Sequence, residues 1–132
     1  MKLITFTDGG SRGNPGPAAI GVVIKNEKGE IVFEKGKKIG ETTNNQAEYQ
    51  ALLLALEKAS ELGATELACY LDSELVVKQL KGEYKVKDAG LAVQYLKVHN
   101  LRMKFKSISF THVRREKNTE ADALVNKALD GI

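Results

Sequence analysis

The sequence predicts a single α/β domain, on three observations. A strand-like run at the N-terminus ends in an acidic residue and a glycine-rich turn; two more β-rich runs follow at hairpin spacing; the second half alternates apolar strands with helical runs. The 132 residues suffice for one core and are too few for two, so residues 1–132 read as one domain. Hydrophobic residues make up 42% and charged residues 28%, the balance of a globular protein, and no run approaches a membrane span. Met1 to Phe6 is too short for a signal-peptide apolar region. A cytoplasmic monomer with no membrane attachment is therefore expected. The net charge of +3 favours an anionic partner only mildly. A single cysteine, Cys69, permits neither an internal disulfide nor a thiolate metal site, and within the apolar run Leu67 to Leu71 it reads as a buried strand residue.

Lys2 to Thr7 mixes β-branched and aromatic residues with no turn former, which reads as a strand. Gly9, Gly10, Gly13, Asn14, Pro15, Gly16 and Pro17 crowd behind it in a sharp turn where backbone can approach a ligand closely. Alternation places Asp8 on the side of Ile4 and Phe6, where it extends an apolar row. Two phosphate cradles are excluded: G-x-x-x-x-G-K-[ST] is absent, and Asp8 stands where G-x-G-x-x-G needs its first glycine. Ala18 to Lys25, a hairpin loop at Asn26 to Gly29, and Ile31 to Ile39 complete an antiparallel meander that Gly40 is expected to end.

Thr42, Thr43, Asn44 and Asn45 supply N-cap chemistry ahead of a helical run, Gln46 to Leu62, with Gly63 as the C′ residue. Leu52, Ala55, Ala59 and Leu62 form its inward stripe, and Glu48, one turn before Leu52, puts a carboxylate on that stripe in the expected first turn. Thr65 to Leu71 is an apolar strand, followed by Asp72 and a helix from about Ser73 to Leu80 that Gly82 stops. In α/β sheets, sites collect at such strand ends. A helix from about Asp88 to Asn100, a strand from Phe105 to Thr111, His112, a polar loop through Lys117 and a helix from about Asn118 to Leu129 complete the chain. Asp122 falls in the first turn of that last helix.

Taken singly, each acid has a structural role available: opening a turn, complementing a helix dipole or capping a helix. Together they occupy matched places, two strand ends and two helix first turns. The flanking stretches TDGGSRGNPGP, TTNNQAEYQAL, YLDSELVVKQL and THVRREKNTEADAL resemble, in this order and along essentially the whole chain, the type 1 ribonuclease H family. The resemblance implies a ribonuclease H-like fold, a five-stranded mixed sheet of order 3-2-1-4-5 flanked by helices. It implies hydrolysis of the RNA strand of an RNA/DNA hybrid to 5′-phosphate and 3′-hydroxyl ends, with two Mg²⁺ ions per site and Mn²⁺ as a substitute. It matches Asp8, Glu48, Asp72 and Asp122 to the family's metal-binding carboxylates and His112, ten residues before Asp122, to its mobile-loop histidine. Gly9, Gly10, Ser11, Asn14, Asn44 and Asn45 match positions near the hybrid's 2′-hydroxyl, Gln46 lies in the same turn, and Thr43 matches a DNA-phosphate contact.

The chemistry of the residues agrees. Phosphodiester hydrolysis needs an activated water on one side and a stabilised leaving oxygen on the other, which two divalent ions about 4 Å apart supply. Mg²⁺ takes hard oxygen ligands, so carboxylates suffice without a Cys or His set. Packed carboxylates repel, which raises at least one pKa when metal is absent. His112 has the intrinsic pKa of a proton relay, whereas His99 reads as a helix-end residue. Discriminating RNA from DNA rests on a 2′-hydroxyl that both donates and accepts, and asparagines and backbone amides can do both; Thr43 and Asn44 can cap the helix as well.

The sequence also departs from the family pattern. Only Lys81 to Lys87 separate the second and third helices, where several members carry an extra helix and a basic protrusion; Lys78, Lys81, Lys85 and Lys87, with Tyr84, are the candidate substitutes. No added N-terminal hybrid-binding module is expected. Glu74 stands where some members use an amide to read substrate. Arg114 and Arg115, in a cationic loop, are candidates for phosphate contacts and keep double-stranded RNA open as a minor substrate. The alternative reading is a catalytically inactive hybrid or double-stranded RNA binding module of the same fold. A DNA-directed phosphotransferase would leave the hydroxyl-reading stretch idle, and an aspartic protease would need a second Asp-Gly-Gly-Ser turn that the chain lacks.

Overall fold

A computed structural model describes residues 1–131. The strands β1 (Lys2–Ser11), β2 (Gly16–Lys25), β3 (Ile31–Thr42), β4 (Glu66–Leu71) and β5 (Ser107–His112) form one sheet in the order β3-β2-β1-β4-β5, as expected. β1 pairs antiparallel with β2 and parallel with β4, and β4 pairs parallel with β5. The helices are α1 (Asn44–Glu61), α2 (Glu74–Leu80), α3 (Ala89–Arg102) and α4 (Thr119–Asp130), with one 3-10 turn, Arg115–Lys117, ahead of α4. Among the described residues, no helix is long and apolar enough to cross a membrane.

One face of the sheet packs on α1. Leu3, Thr5 and Thr7 of β1 turn towards a helical stripe of Ala47, Ala51, Leu52, Ala55, Leu56 and Ala59. The alanines let helix and sheet approach closely, and Leu52 and Leu56 are fully buried, each worth about 1.5–3 kcal/mol of transfer free energy. Leu62 departs from the expected stripe: it is the C-cap of α1 and 41% exposed, because the helix closes before it can turn inward. Cys69 is buried as expected, and burial pushes its thiol up to about 12.

The other face receives α4 along a track of two glycines. Gly21 and Gly36 are direct partners across β2 and β3. A Cβ at Gly21 would stand 2.2 Å from the Ala121 carbonyl oxygen, and one at Gly36 would stand 2.7 Å from that of Leu124. Glycine in a strand interior here serves a close backbone approach. α4 packs on β2, β3 and part of β1. Nearer β4, Phe6 and Tyr70 stack on each other with centroids 5.2 Å apart.

Several boundaries differ from the sequence expectation. β1 continues past Asp8 to Ser11, because Gly9 to Ser11 keep pairing with β2 after β4 has ended. β3 continues past Gly40, whose φ of +85° sits at the register shift opposite Ala18 and Ala19. α1 starts at Asn44, so Glu48 lies in its second turn rather than its first.

Candidate active site

The β1–β4 ladder ends at the pair Thr7 and Leu71, and the next residue on each strand is Asp8 and Asp72. Two carboxylates thus emerge side by side where the parallel β1–β4 pairing ends, Asp8 within β1 and Asp72 just past β4, the side of the sheet where α/β folds place their sites. Glu48 arrives from α1 because Gly9 has no side chain: a Cβ there would stand 2.3 Å from the Ala47 carbonyl carbon. At this approach the Gly9 N–H donates to Glu48 Oε1 at 3.2 Å. Carboxylate oxygens of Asp8, Glu48 and Asp72 lie within 4.8 Å of one another. Asp122, in the first turn of α4, lines the same cavity of about 410 Å³.

The cluster is electrostatically strained. Burial first, then the charges of Asp72 and Asp122, push the Asp8 carboxyl up to about 8. Burial and the charges of Asp8 and Asp72 hold Glu48 well above the usual carboxylate range, against the opposing pull of the Gly9 N–H. Glu48 Oε2 is buried and has no hydrogen-bond partner. A hard-oxygen donor set with a free buried oxygen and mutual repulsion fits a divalent cation, whose charge would relieve both.

The rim is held by an asparagine relay. Asn14 Oδ1 accepts from the Asn44 N–H at 3.0 Å, and Asn44 Oδ1 accepts from the Ser11 N–H at 2.8 Å and its hydroxyl at 3.2 Å. The glycine turn and the start of α1 therefore form one unit. Thr43 is the N-cap of α1, accepting from the Gln46 N–H at 3.2 Å. Gln46 turns to α3, where its Oε1 accepts from Gln94. Gly9, Gly10, Ser11, Asn44 and Asn45 line the cavity; Asn14, Thr43 and Gln46 stand behind it.

Of the loop residues before α4, Arg115 reaches the acids. Its Nε lies 4.0 Å from Asp122 Oδ1, and its side chain is 81% exposed. Arg114 is exposed and does not line the cavity. His112 is the exposed last residue of β5, paired with Leu71 directly before the loop to α4, and it is not among the residues that line the cavity. From His112 the chain leaves β5 and enters the 3-10 turn at Arg115. In the last turn of α2, before the α2–α3 connection, Lys78 is engaged within the protein. It bonds Glu74 at 2.9 Å and the Tyr84 hydroxyl at 3.3 Å, and lies over the Tyr84 ring. Lys81, Lys85 and Lys87 are exposed. Sequence reasoning missed Asn118, which is 2% exposed and whose side chain bonds the Thr7 carbonyl; a lone Asn before a helix signals only a cap.

The chain matches the reverse transcriptase-like family over residues 6–128. It is 48% identical over 129 residues to ribonuclease HI of Halobacterium salinarum, covering 98% of this chain and 65% of that protein. The crystal structure of RNase H1 from the same archaeon superposes with a TM-score of 0.97 at 45% identity, covering 100% of both chains. LC11-RNase H1, solved in complex with an RNA/DNA hybrid, gives 0.93 at 48% identity over 98% of this chain and 97% of that one. The chain spans between 36% and 65% of the length of the curated relatives that it matches over nearly all its own residues. With the sheet order, the acids at its carboxyl end and these relatives in agreement, the chain belongs to the type 1 ribonuclease H family.

Proposed function

We propose that this chain is an endonuclease that hydrolyses the RNA strand of RNA/DNA hybrids, leaving 5′-phosphate and 3′-hydroxyl ends. The observation that carries this reading is the meeting of Asp8, Glu48 and Asp72 within 4.8 Å, with one buried glutamate oxygen unpartnered. The solved relative that holds an RNA/DNA hybrid supports the substrate class.

Asp8, Glu48 and Asp72, with Asp122 opposite, would hold two divalent ions, Mg²⁺ by the hardness of the donors and Mn²⁺ as a substitute, and such ions supply an acidified water and neutralise charge on the phosphate. The chain's own residues do the rest. Asp8 sits within β1 and Asp72 directly follows β4, so the paired strands rather than long loops set the spacing of the two carboxylates. The Asn45 side chain offers donor and acceptor to a 2′-hydroxyl, the Gly9 to Ser11 backbone, with its Gly9 and Ser11 N–H groups bonded to Glu48 and Asn44, offers acceptors, and the relay through Asn14 and Asn44 holds that rim rigid. Arg115, beside Asp122, is placed to bind a phosphate oxygen as a fork of donors. His112, at the end of β5 and not among the cavity-lining residues, would act as a proton relay only by reaching in from the strand end. Lys81, Lys85 and Lys87, exposed on the α2–α3 connection, add phosphate attraction, which makes binding salt-dependent.

The test is gel-resolved cleavage of one sequence as RNA/DNA hybrid, RNA duplex, DNA duplex and single-stranded RNA, with Mg²⁺, Mn²⁺ or chelator, beside Asp8→Asn. Metal-dependent cutting of the hybrid's RNA, weak on duplex RNA and lost in the variant, supports the reading. Hybrid binding without cutting under any metal overturns it in favour of an inactive module.

A further inference from the structure

The two edges of the sheet are built differently. Edge strand β3 carries Glu34, Lys35, Lys37, Lys38 and Glu41, and its pairing with β2 shifts register twice. Charges and bulges keep a free strand edge from pairing with another chain. Edge strand β5, of sequence SISFTH, has no Lys, Arg, Asp, Glu, Gly or Pro, and its register with β4 is unbroken. The Ser107 N–H donates to the Thr65 oxygen and the Val113 N–H to the Leu71 oxygen. Odd-numbered residues therefore turn their backbone towards β4, and Ile108 and Phe110 turn theirs to the free side.

That free side opens on a groove of about 630 Å³ between β5, the end of α2 and α3. Its apolar wall includes Tyr95 and Phe110, its cations are Lys81, His99 and Arg102, and no carboxylate lines it among the described residues. The Arg102 guanidinium lies over the Phe110 ring, 5.2 Å from its centroid. None of these residues lines the acidic cavity.

We propose that β5 is a docking edge for an extended acidic peptide segment of a partner protein, which adds as a sixth strand. Its main chain would bond the outward backbone groups of Ile108 and Phe110, and alternate side chains would enter the groove. Its carboxylates would meet Lys81 and Arg102, and this charge complementarity selects an acidic segment over a basic one. A nucleic acid would use the cations and leave the strand edge idle, which is why a peptide fits better. The proposal is independent of the cleavage reading.

The probe is a labelled peptide of about ten residues alternating Glu and Val, long enough to span the strand, followed by fluorescence anisotropy. Its controls are the Lys/Val peptide, the Glu/Val peptide with a central proline, and single-stranded DNA of similar length. The Glu/Val peptide should bind saturably, with affinity reduced at least ~10-fold by the central proline, by Arg102→Glu and by Ile108→Pro; the Lys/Val peptide should not saturate. Ile108→Pro removes an outward N–H while sparing the β4 ladder, and its melting temperature is recorded. If it does not fold, slowed amide exchange at Ile108 and Phe110 on peptide binding takes its place as the backbone test. Failure of the acidic peptide to bind, or equal binding to both variants, overturns the proposal. So does an Arg102-dependent preference for the DNA, which would mark a nucleic-acid surface. A concentration-dependent dimer abolished by Ile108→Pro would instead assign the edge to a second copy of this chain.

Discussion

The Asn118 side-chain amide donates to the Thr7 carbonyl oxygen at 2.8 Å, across 111 residues of sequence and out of contact with solvent. Thr7 precedes Asp8, and the Asn118 carbonyl oxygen accepts from the Asp122 N–H at 3.1 Å. One residue therefore ties the strand bearing one acid to the helix bearing another. Asn118→Ala leaves a buried carbonyl unpaired and should cost about 1–3 kcal/mol in urea unfolding. Hybrid cleavage should fall at least ~10-fold under conditions where the variant is folded, since small displacements of reacting groups cost about two orders of magnitude. Asn118→Asp, which sets an acceptor against the carbonyl, should not rescue either property.

Gly9 and Gly10 are adjacent and predicted to respond oppositely to alanine. A Cβ at Gly9 meets the α1 backbone at 2.3 Å, whereas at Gly10 its nearest neighbour is Val125 Cγ1 at 3.8 Å. Gly9→Ala should destabilise by about 3 kcal/mol or more, because backbone cannot swing aside as a side chain can. Gly10→Ala should melt near the parent temperature, so any loss of cleavage there reports on substrate rather than folding. Thermal melts of the two variants decide this.

Without metal, stability should fall as pH rises. The Asp8 carboxyl stands at about 8 in the folded protein against an ordinary 3.8. Between these values the folded state holds a proton that the unfolded chain has released, so raising pH favours unfolding. Burial raises Glu48 in the same direction. Asp8→Asn removes this penalty and should exceed the parent in stability at about pH 8, by on the order of a few kcal/mol, with the gap closing towards about pH 4. Urea unfolding in chelator across that range is the measurement, and a variant no more stable than the parent at the alkaline end would contradict the raised carboxyl. Added Mg²⁺ should stabilise the parent more at about pH 8 than at pH 6, because protons compete for the same oxygens.

Arg115 and His112 are separable. Arg115 lies 4.0 Å from Asp122 and lines the cavity, while His112 ends β5 outside it. Arg115→Ala should lower kcat/KM on the hybrid about 10-fold or more and flatten its salt dependence, as loss of a phosphate contact does. His112→Ala should change kcat/KM by less than about threefold, too little to count as general acid–base catalysis. Larger loss at His112 than at Arg115 would reassign the proton-transfer role to the histidine.

The sequence by itself determined the order of elements, because hydrophobic period and turn chemistry are local. The hairpin at Asn26 to Gly29, the cap at Thr43 and the strand-acid junction at Asp72 were legible in runs of a few residues, whereas at Asp8 the strand runs on to Ser11. It also singled out four acids, since their flanking stretches are distinctive. Only the tertiary structure decided how they meet. Gly21 and Gly36 are unremarkable apart in sequence, yet as cross-strand partners they let α4 lie against the sheet. Gly9 reads as part of a turn, yet it is a strand residue whose missing Cβ admits α1 and Glu48. His112 stands ten residues before Asp122, but sequence spacing does not say where a strand stops, and β5 runs as far as His112 itself. Such distances belong to contacts between elements far apart in the chain, where close approach is set by what neighbouring backbones leave room for.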